Sequence, residues 1–296
     1  MQNATPSLLL ASLAALLAGA CSSDVGAAAP VLRFSAIPDD DRTELAEKYG
    51  AIARYLADEL GVAVRYQAAS DYQASVDMFK NGDVQLAWFG GLTGCRARAA
   101  VDGARAIAQG VVDPQFRSYF IAGAESGLQP CEEFPLALAG HTFTFGEPGS
   151  TSGRLMPEHF IRRFTGRTPV EFFGHEMAFS MSHDQTAVQV QNGTFDAGAL
   201  NYKTYDRMVA EGVIDPRRCR VIWTTPPYPD YSWNAHPELE RTFGPGFIDR
   251  LQRALVGMSE PGLLAAAQRE EGLIPASNEE FAPLVELATE LGLMRE

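Results

Sequence analysis

The sequence predicts an α/β fold of two lobes with a cleft between them. Three observations lead there. Strand and helix patterns alternate through residues 31–89, the signature of a parallel sheet covered by helices. A second α/β run of similar size begins after Gly127 and Pro130. The tail, residues 238–296, reads as three or four helices.

Residues 31–37 alternate as a strand does, and Pro38 ends them. Asp39, Asp40 and Asp41 suit the positive end of the next helix. That helix covers about residues 43–60, with Leu45, Ile52, Leu56 and Leu60 along one face and Gly61 as its stop. Residues 62–66 form the second strand, and Ser70-Asp71 caps a helix over 72–80 that Asn81-Gly82 ends. Residues 84–89 form the third strand, before Gly90-Gly91. Further strands are expected over 105–110 and 117–122.

In the second run a strand over 141–145 leads into a helix that ends near Phe164, and 170–173 reads as a strand. Ser182-His183-Asp184 caps a helix over 185–191; a strand over 195–200, a helix over 202–211 and a strand over 219–223 follow. Residues 224–231 are too rich in proline for a helix. The expected division is 31–122 for the first part of lobe one, 123–223 for lobe two and 224–296 for a return to lobe one.

With 296 residues, 46% hydrophobic and 21% charged, the chain can bury a sizeable core. Its net charge of -13 argues against nucleic acid and against an anionic membrane surface as partners. A small-anion ligand is compatible with that charge, because such sites use local dipoles. Residues 7–20 form an apolar run shorter than the roughly 20 residues a bilayer span needs, and read as the core of a secretory signal. Residues 1–20 are thus the expected signal peptide and 21–30 a tether. Leu16-Leu17-Ala18-Gly19-Ala20-Cys21 resembles a bacterial lipoprotein processing site, with Cys21 the lipidated first residue of an exported, periplasmic protein. The alternative is an ordinary cleaved signal followed by an incidental cysteine. Apart from such an anchor, no membrane contact is expected.

Cys95, Cys131 and Cys219 remain, enough for one disulfide and one thiol. Cys131 and Cys219 are the candidate pair; Cys95 reads as a small buried hydrophobe. No cysteine or histidine spacing fits a zinc or iron–sulfur site, so no metal and no cofactor are expected.

The most informative stretch is Gly146-Glu147-Pro148-Gly149-Ser150-Thr151-Ser152-Gly153. It joins a strand to a helix and sets three hydroxyls between glycines. Free N–H groups, the positive end of a helix dipole and hydroxyl donors meet there, which suits a small anion. Capping alone would need only one hydroxyl. Ser182-His183 stands at another helix start, where an imidazole can donate to an oxyanion; a solvent-exposed loop histidine is the plainer alternative. Asp71-Tyr72 is similar, with a phenol in reach of a ligand. Trp88-Phe89-Gly90-Gly91 could wall a pocket with its aromatics while glycine N–H groups face the ligand, or place one ring in the core and one in a turn.

These motifs, in this order, resemble the phosphate/phosphite/phosphonate-binding proteins of bacterial ABC importers. The resemblance runs from about Val31 to the C-terminus. It rests on Asp71-Tyr72, Ala87-Trp88-Phe89-Gly90, Pro148-Gly149-Ser150-Thr151-Ser152-Gly153, His183-Asp184-Gln185-Thr186-Ala187 and Pro229-Asp230 before Trp233. It implies a two-lobed periplasmic binding protein fold, type II-like, closing on a small tetrahedral oxyanion. It implies ligand contacts at Tyr72, Phe89, Ser150, Thr151, Ser152, His183 and Asp230. It also implies a monomer that delivers its ligand to an ABC permease in the inner membrane.

One departure is Phe89, where the family's phosphonate binders usually carry tyrosine. The wording around Trp88-Phe89-Gly90-Gly91-Leu92-Thr93 and Trp223-Thr224-Thr225-Pro226-Pro227-Tyr228 resembles a subgroup labelled selenate-binding. Asp230 is the expected discriminator. A carboxylate facing fully ionised selenate repels it, whereas a protonated phosphorus oxyanion can donate a hydrogen bond.

Catalysis is not expected. Thr151 stands at the centre of Gly149–Gly153 where Gly-x-Ser-x-Gly would need serine, and no Gly-Lys-Ser/Thr follows Gly153. The alternative to transport is a ligand sensor that docks a separate membrane receptor.

Overall fold

In the computed structural model the described residues are 29–39 and 42–294, together with Met1. The expected signal peptide, almost all of the tether with Cys21, and Asp40 and Asp41 lie outside them. No helix among the described residues is long and apolar enough to cross a membrane.

The chain begins with strand β1 (Val31–Ala36), helix α1 (Arg42–Leu60), β2 (Ala63–Tyr66), α2 (Tyr72–Lys80), β3 (Leu86–Phe89), α3 (Gly91–Ala100) and β4 (Arg105–Gly110). It then crosses to β5 (Ser118–Gly123) and β6 (Phe143–Phe145), a single π-helical turn (Thr151–Leu155), α4 (Met156–Thr165), α5 (Pro169–Phe173) and β7 (Ala178–Phe179). α6 (His183–Gln191), β8 (Ala197–Asn201), α7 (Tyr202–Ala210) and β9 (Cys219–Thr224) complete this part. A second crossing reaches β10 (Ser232–Ala235), α8 (Glu238–Phe243), α9 (Phe247–Val256), α10 (Pro261–Ala266), β11 (Leu273–Pro275) and α11 (Ala282–Glu290).

Two mixed sheets result. The first has the order β11-β4-β10-β3-β1-β2 and the second β7-β6-β8-β5-β9. β1 pairs in parallel with β2 and β3, as βαβ crossovers require. β10 then enters antiparallel between β3 and β4. In the second sheet β6 pairs in parallel with β7 and β8, and β5 runs antiparallel to β8 and β9. β5, expected with the first lobe, therefore belongs to the second sheet, and the first crossing falls before it, between β4 and β5. Each sheet carries a buried aromatic layer: Phe34, Trp88 and Trp233 in one, Phe120, Phe143, Phe145 and Trp223 in the other.

The crossings lie side by side. Phe116 and Tyr228 form an antiparallel bridge, the Tyr228 N–H donates to the Phe116 carbonyl, and the Asp230 N–H to the Asp113 carbonyl. Two paired connections of this kind make a hinge between lobes.

Four expectations change. Residues 170–173 form helix α5, not a strand. Thr168 caps it, Glu171 returns the bond to the Thr168 N–H, Pro169 starts it and Gly174 ends it in the left-handed region. Those local signals outweigh an apolar run that also suits a strand. β7, β10 and β11 are strands too short or too polar for an alternating pattern to announce. Ser182 stands at the N-terminus of α6, yet its side chain makes no capping bond there. Finally, Cys95, Cys131 and Cys219 are all free. The Cys131 N–H donates to the Ile222 carbonyl, three positions along β9 from Cys219. Three strand residues span about 10 Å, beyond the roughly 7 Å a disulfide tolerates between Cα atoms.

Candidate functional site

The hydroxyl loop is held by two glycines in close backbone contact. The Gly146 N–H donates to the Gly153 carbonyl at 2.8 Å. A Cβ on Gly146 would stand 3.1 Å from the Gly153 Cα, and one on Gly153 only 3.0 Å from the Gly146 Cα. Glu147, 7% exposed, turns back to accept the Gly149 N–H. Ser150 Oγ accepts the Gly153 N–H at 2.9 Å and opens the π-helical turn. Such turns are frequent at functional sites. Ser150, Thr151 and Ser152 are all buried.

The loop meets the start of α3 from the other lobe. Gly90 and Gly91 are small because the helix start is crowded: a Cβ on Gly91 would come 2.4 Å from Leu284 Cδ1. The Gly91 N–H donates to Asp230 Oδ1 at 2.7 Å, and the Leu92 N–H to Thr151 Oγ1 at 3.0 Å. The glycine N–H expected to face a ligand is therefore used by the protein's own carboxylate. Thr151 joins the two lobes.

Tyr72 is the first residue of α2, fixed by Asp71, whose Oδ1 accepts the Ala74 N–H at 2.7 Å. Its Cβ lies 3.4 Å from where a Gly149 side chain would begin, so it sits against the hydroxyl loop. Burial pushes its phenol well above the usual range; Asp39, Glu147 and Asp230 add to this, and the Ser150 side chain opposes it. Tyr72 therefore stays protonated, a donor.

His183 begins α6 and is 1% exposed, not a solvent-facing loop residue. Its Nδ1 faces the Asn201 N–H at 3.4 Å as acceptor, a tautomer that leaves the proton on Nε2. Asn201 Nδ2 in turn donates to the Tyr231 hydroxyl at 3.3 Å, tying the end of β8 to the second crossing.

Asp230 lies on that crossing, 1% exposed, and its Oδ2 has no hydrogen-bond partner among the described residues. Burial raises its carboxyl to about 7; the Gly91 N–H, the Thr151 hydroxyl and Arg269 pull it back, and Asp113 adds to the rise.

Phe89, expected to wall the ligand pocket, is fully buried. Its ring packs edge-on against Phe79 at 5.7 Å within the core. Consecutive strand residues face opposite ways, and it is Trp88 that turns toward the crossings, stacking on Tyr231 at 5.6 Å. Sequence reasoning named Trp88 and Phe89 together without separating their faces, and missed Asn201, Tyr231, Asp113 and Arg269. Asn201 does carry a local signal, since its Oδ1 caps α7. Arg269 carries none.

Beside these residues lies a polar chamber of about 10 Å³, lined by Asp39, Trp88, Asn201, Lys203, Tyr231 and Arg269. It has room for about one water. Larger hollows, up to 580 Å³, are lined by none of Tyr72, Ser150, Thr151, Ser152, His183 and Asp230. A closed clamp leaves little empty volume, so the chemistry, not the size of a hollow, locates the site. Tyr72, Ser150–Ser152 and His183 stand at helix starts, where backbone dipoles favour an anion. No metal-binding cluster of histidine, cysteine or carboxylate residues occurs among the described residues.

Two sheets, two paired crossings and a buried polar site between them define a two-lobed solute-binding protein. The family described as "ABC transporter, phosphonate, periplasmic substrate-binding protein" matches residues 34–281. The chain is 36% identical over 245 residues to the "Probable ABC transporter phosphite binding protein PhnD1" of Prochlorococcus marinus, covering 82% of each. It is 29% identical over 262 residues to the phosphate-import protein PhnD of Mycolicibacterium smegmatis, covering 82% of this chain and 78% of that one. The solved structure of Prochlorococcus marinus PhnD1 with methylphosphonate superposes with a TM-score of 0.84 at 32% identity, over 89% of this chain and 98% of that one. The chain belongs to the phosphonate-binding family of periplasmic substrate-binding proteins of ABC transporters, whose members bind and deliver rather than catalyse.

Proposed function

We propose that this protein binds a small, singly protonated phosphorus oxyanion of the phosphite or methylphosphonate kind. Its contacts are Tyr72, Ser150, Thr151, Ser152, His183 and Asp230, and the bound ligand is handed to an ABC permease in the inner membrane. Asp230 carries the reading: a buried carboxyl, poised near 7, with one oxygen unpartnered beside hydroxyl donors. A P–OH group can donate to that oxygen while the remaining ligand oxygens accept from the hydroxyls and helix starts. Selenate and sulfate have no proton to donate at neutral pH and are repelled by the ionised form of Asp230, which predominates above about pH 7. The phosphite, phosphate and methylphosphonate named for the relatives support the same class. Cys21 serves as a lipid anchor on this reading, and Cys21→Ser should move the protein from the membrane to the soluble periplasmic fraction; retention in the membrane would remove the anchor.

The test is a thermal-shift panel of phosphite, methylphosphonate, phosphate, sulfate and selenate at pH 7. Stabilisation grows with ligand concentration over Kd, so the phosphorus oxyanions should rank above selenate and sulfate. No stabilisation by any of them would sink the class, and selenate ranking first would sink the role of Asp230. Calorimetry then tests the loop. Ser150→Ala with Ser152→Ala should weaken binding by at least about tenfold, the loss of one to two net hydrogen bonds. Unchanged affinity in a folded variant would take the loop out of the site.

A further inference from the structure

We propose that Lys203 is an affinity-setting latch, holding the two lobes closed through Glu270 and Glu271 without touching the ligand. Lys203 is the second residue of α7, in the lobe of the second sheet. Glu270 and Glu271 lie between α10 and β11, in the lobe of the first sheet. The Lys203 Nζ stands 3.2 Å from Glu270 Oε2 and 3.6 Å from Glu271 Oε2. The contact therefore spans the cleft, at the rim of the chamber that Lys203 shares with Asn201, Tyr231 and Arg269. Lys203 is only 18% exposed, so it has given up most of its hydration to reach there.

The acidic side of the latch is fixed to the hinge. Arg269, next in the chain to Glu270, is buried and donates through Nε to both Asp113 oxygens, at 3.0 and 2.8 Å. Asp113 sits in the first crossing, where its carbonyl accepts the Asp230 N–H. Glu270 and Glu271 thus keep their place relative to the hinge, while Lys203 travels with the other lobe. Opening the cleft must part the ion pairs; closing it remakes them whichever oxyanion is inside. An interaction present only in the closed state raises apparent affinity by raising the fraction of closed, binding-competent protein. Because Lys203 meets no ligand atom on this reading, the gain is the same for every ligand.

The latch rests on the oxyanion reading only in requiring closure around some bound oxyanion. The experiment is calorimetry and stopped-flow on the full mature chain with phosphite, methylphosphonate and phosphate. Lys203→Met keeps the apolar stem and removes the charge. It should raise every Kd by the same factor, about threefold to tenfold for two partly exposed pairs, with the ligand order unchanged and the change in koff. Lys203→Glu combined with Glu270→Lys and Glu271→Lys should restore affinity to within about twofold of wild type, which loss of packing alone would not allow. Unchanged Kd values, an effect confined to one ligand, or failure of the charge exchange to restore binding would each overturn the latch. If the wild type binds none of the three anions, the oxyanion reading falls and closure loses its cause; if it binds and Lys203→Met is unaltered, only the latch falls.

Discussion

Asp230→Asn is expected to reverse the anion preference of the protein and to change how its stability responds to pH. Asparagine keeps an oxygen for the Gly91 N–H, which Asp230 accepts at 2.7 Å. In place of the unpartnered Oδ2 it presents an NH₂ donor. A singly protonated phosphite or methylphosphonate loses its acceptor, and its Kd should rise roughly tenfold to a hundredfold, the worth of a charge-assisted hydrogen bond. Above about pH 7, where Asp230 is ionised, selenate and sulfate lose a repulsive charge and gain a donor, so both should bind more tightly. An unchanged order of ligands would remove Asp230 from the selection. In the wild type, affinity should fall as pH rises past about 7, because Asp230 and the ligand then both give up the proton they share.

The pH response of the ligand-free protein has a definite sign. Folding raises the Asp230 carboxyl from 3.8 to about 7, so the native state holds this proton more tightly than the unfolded chain. The contribution to stability is complete below the unfolded value and is lost as pH rises to about 7. Asparagine does not titrate. The melting temperature of Asp230→Asn minus that of the wild type should therefore grow between pH 4 and pH 8. A difference that stays constant over that range would mean that Asp230 is not held protonated by burial. A variant that is more stable and binds less well is the mark of a residue retained for function.

Much of this was legible because the informative residues sit where local rules apply. The βαβ rhythm of the first three strands follows from Gly61, the Asp71 cap and Asn81-Gly82, each a stop or start that acts within one turn. Tyr72, the serines and His183 stand at helix starts, so local pattern alone placed them beside backbone dipoles. What sequence did not reveal depends on long-range pairing. β10 is a central strand only because the chain returns from the second sheet to lie between β3 and β4. β5 looked like a continuation of the first lobe, since nothing in residues 111–117 marks a crossing except Pro114. Phe89 and Trp88 are adjacent on one strand, and choosing which faces the cleft needs the placement of Tyr231, more than 100 residues later. The Cys131–Cys219 expectation failed by a strand register of three residues, which composition cannot see.

Arg269→Met is expected to be the most destabilising single change at the hinge. The guanidinium lies 4.9 Å from the ring centres of both Trp88 and Tyr231, and among the described residues it forms an ion pair at contact distance with Asp113 alone. Burial pushes the Asp113 carboxyl up, and Arg269 with the Gly110 N–H, at 2.6 Å, pulls it back. Removing Arg269 leaves that carboxyl fully buried without its cation, a loss of about 3–5 kcal/mol in buried pairs of this kind. Arg269→Met with Asp113→Asn replaces both charges and should recover most of the loss, because asparagine still accepts the Gly110 N–H. Urea denaturation of the two variants measures the difference; a single variant costing less than about 1 kcal/mol would show that the pair does not anchor the crossing. The same single variant should also weaken ligand binding. Asp113 holds the Asp230 backbone through its own carbonyl, so a shift at the buried ion pair moves the carboxyl that selects the anion.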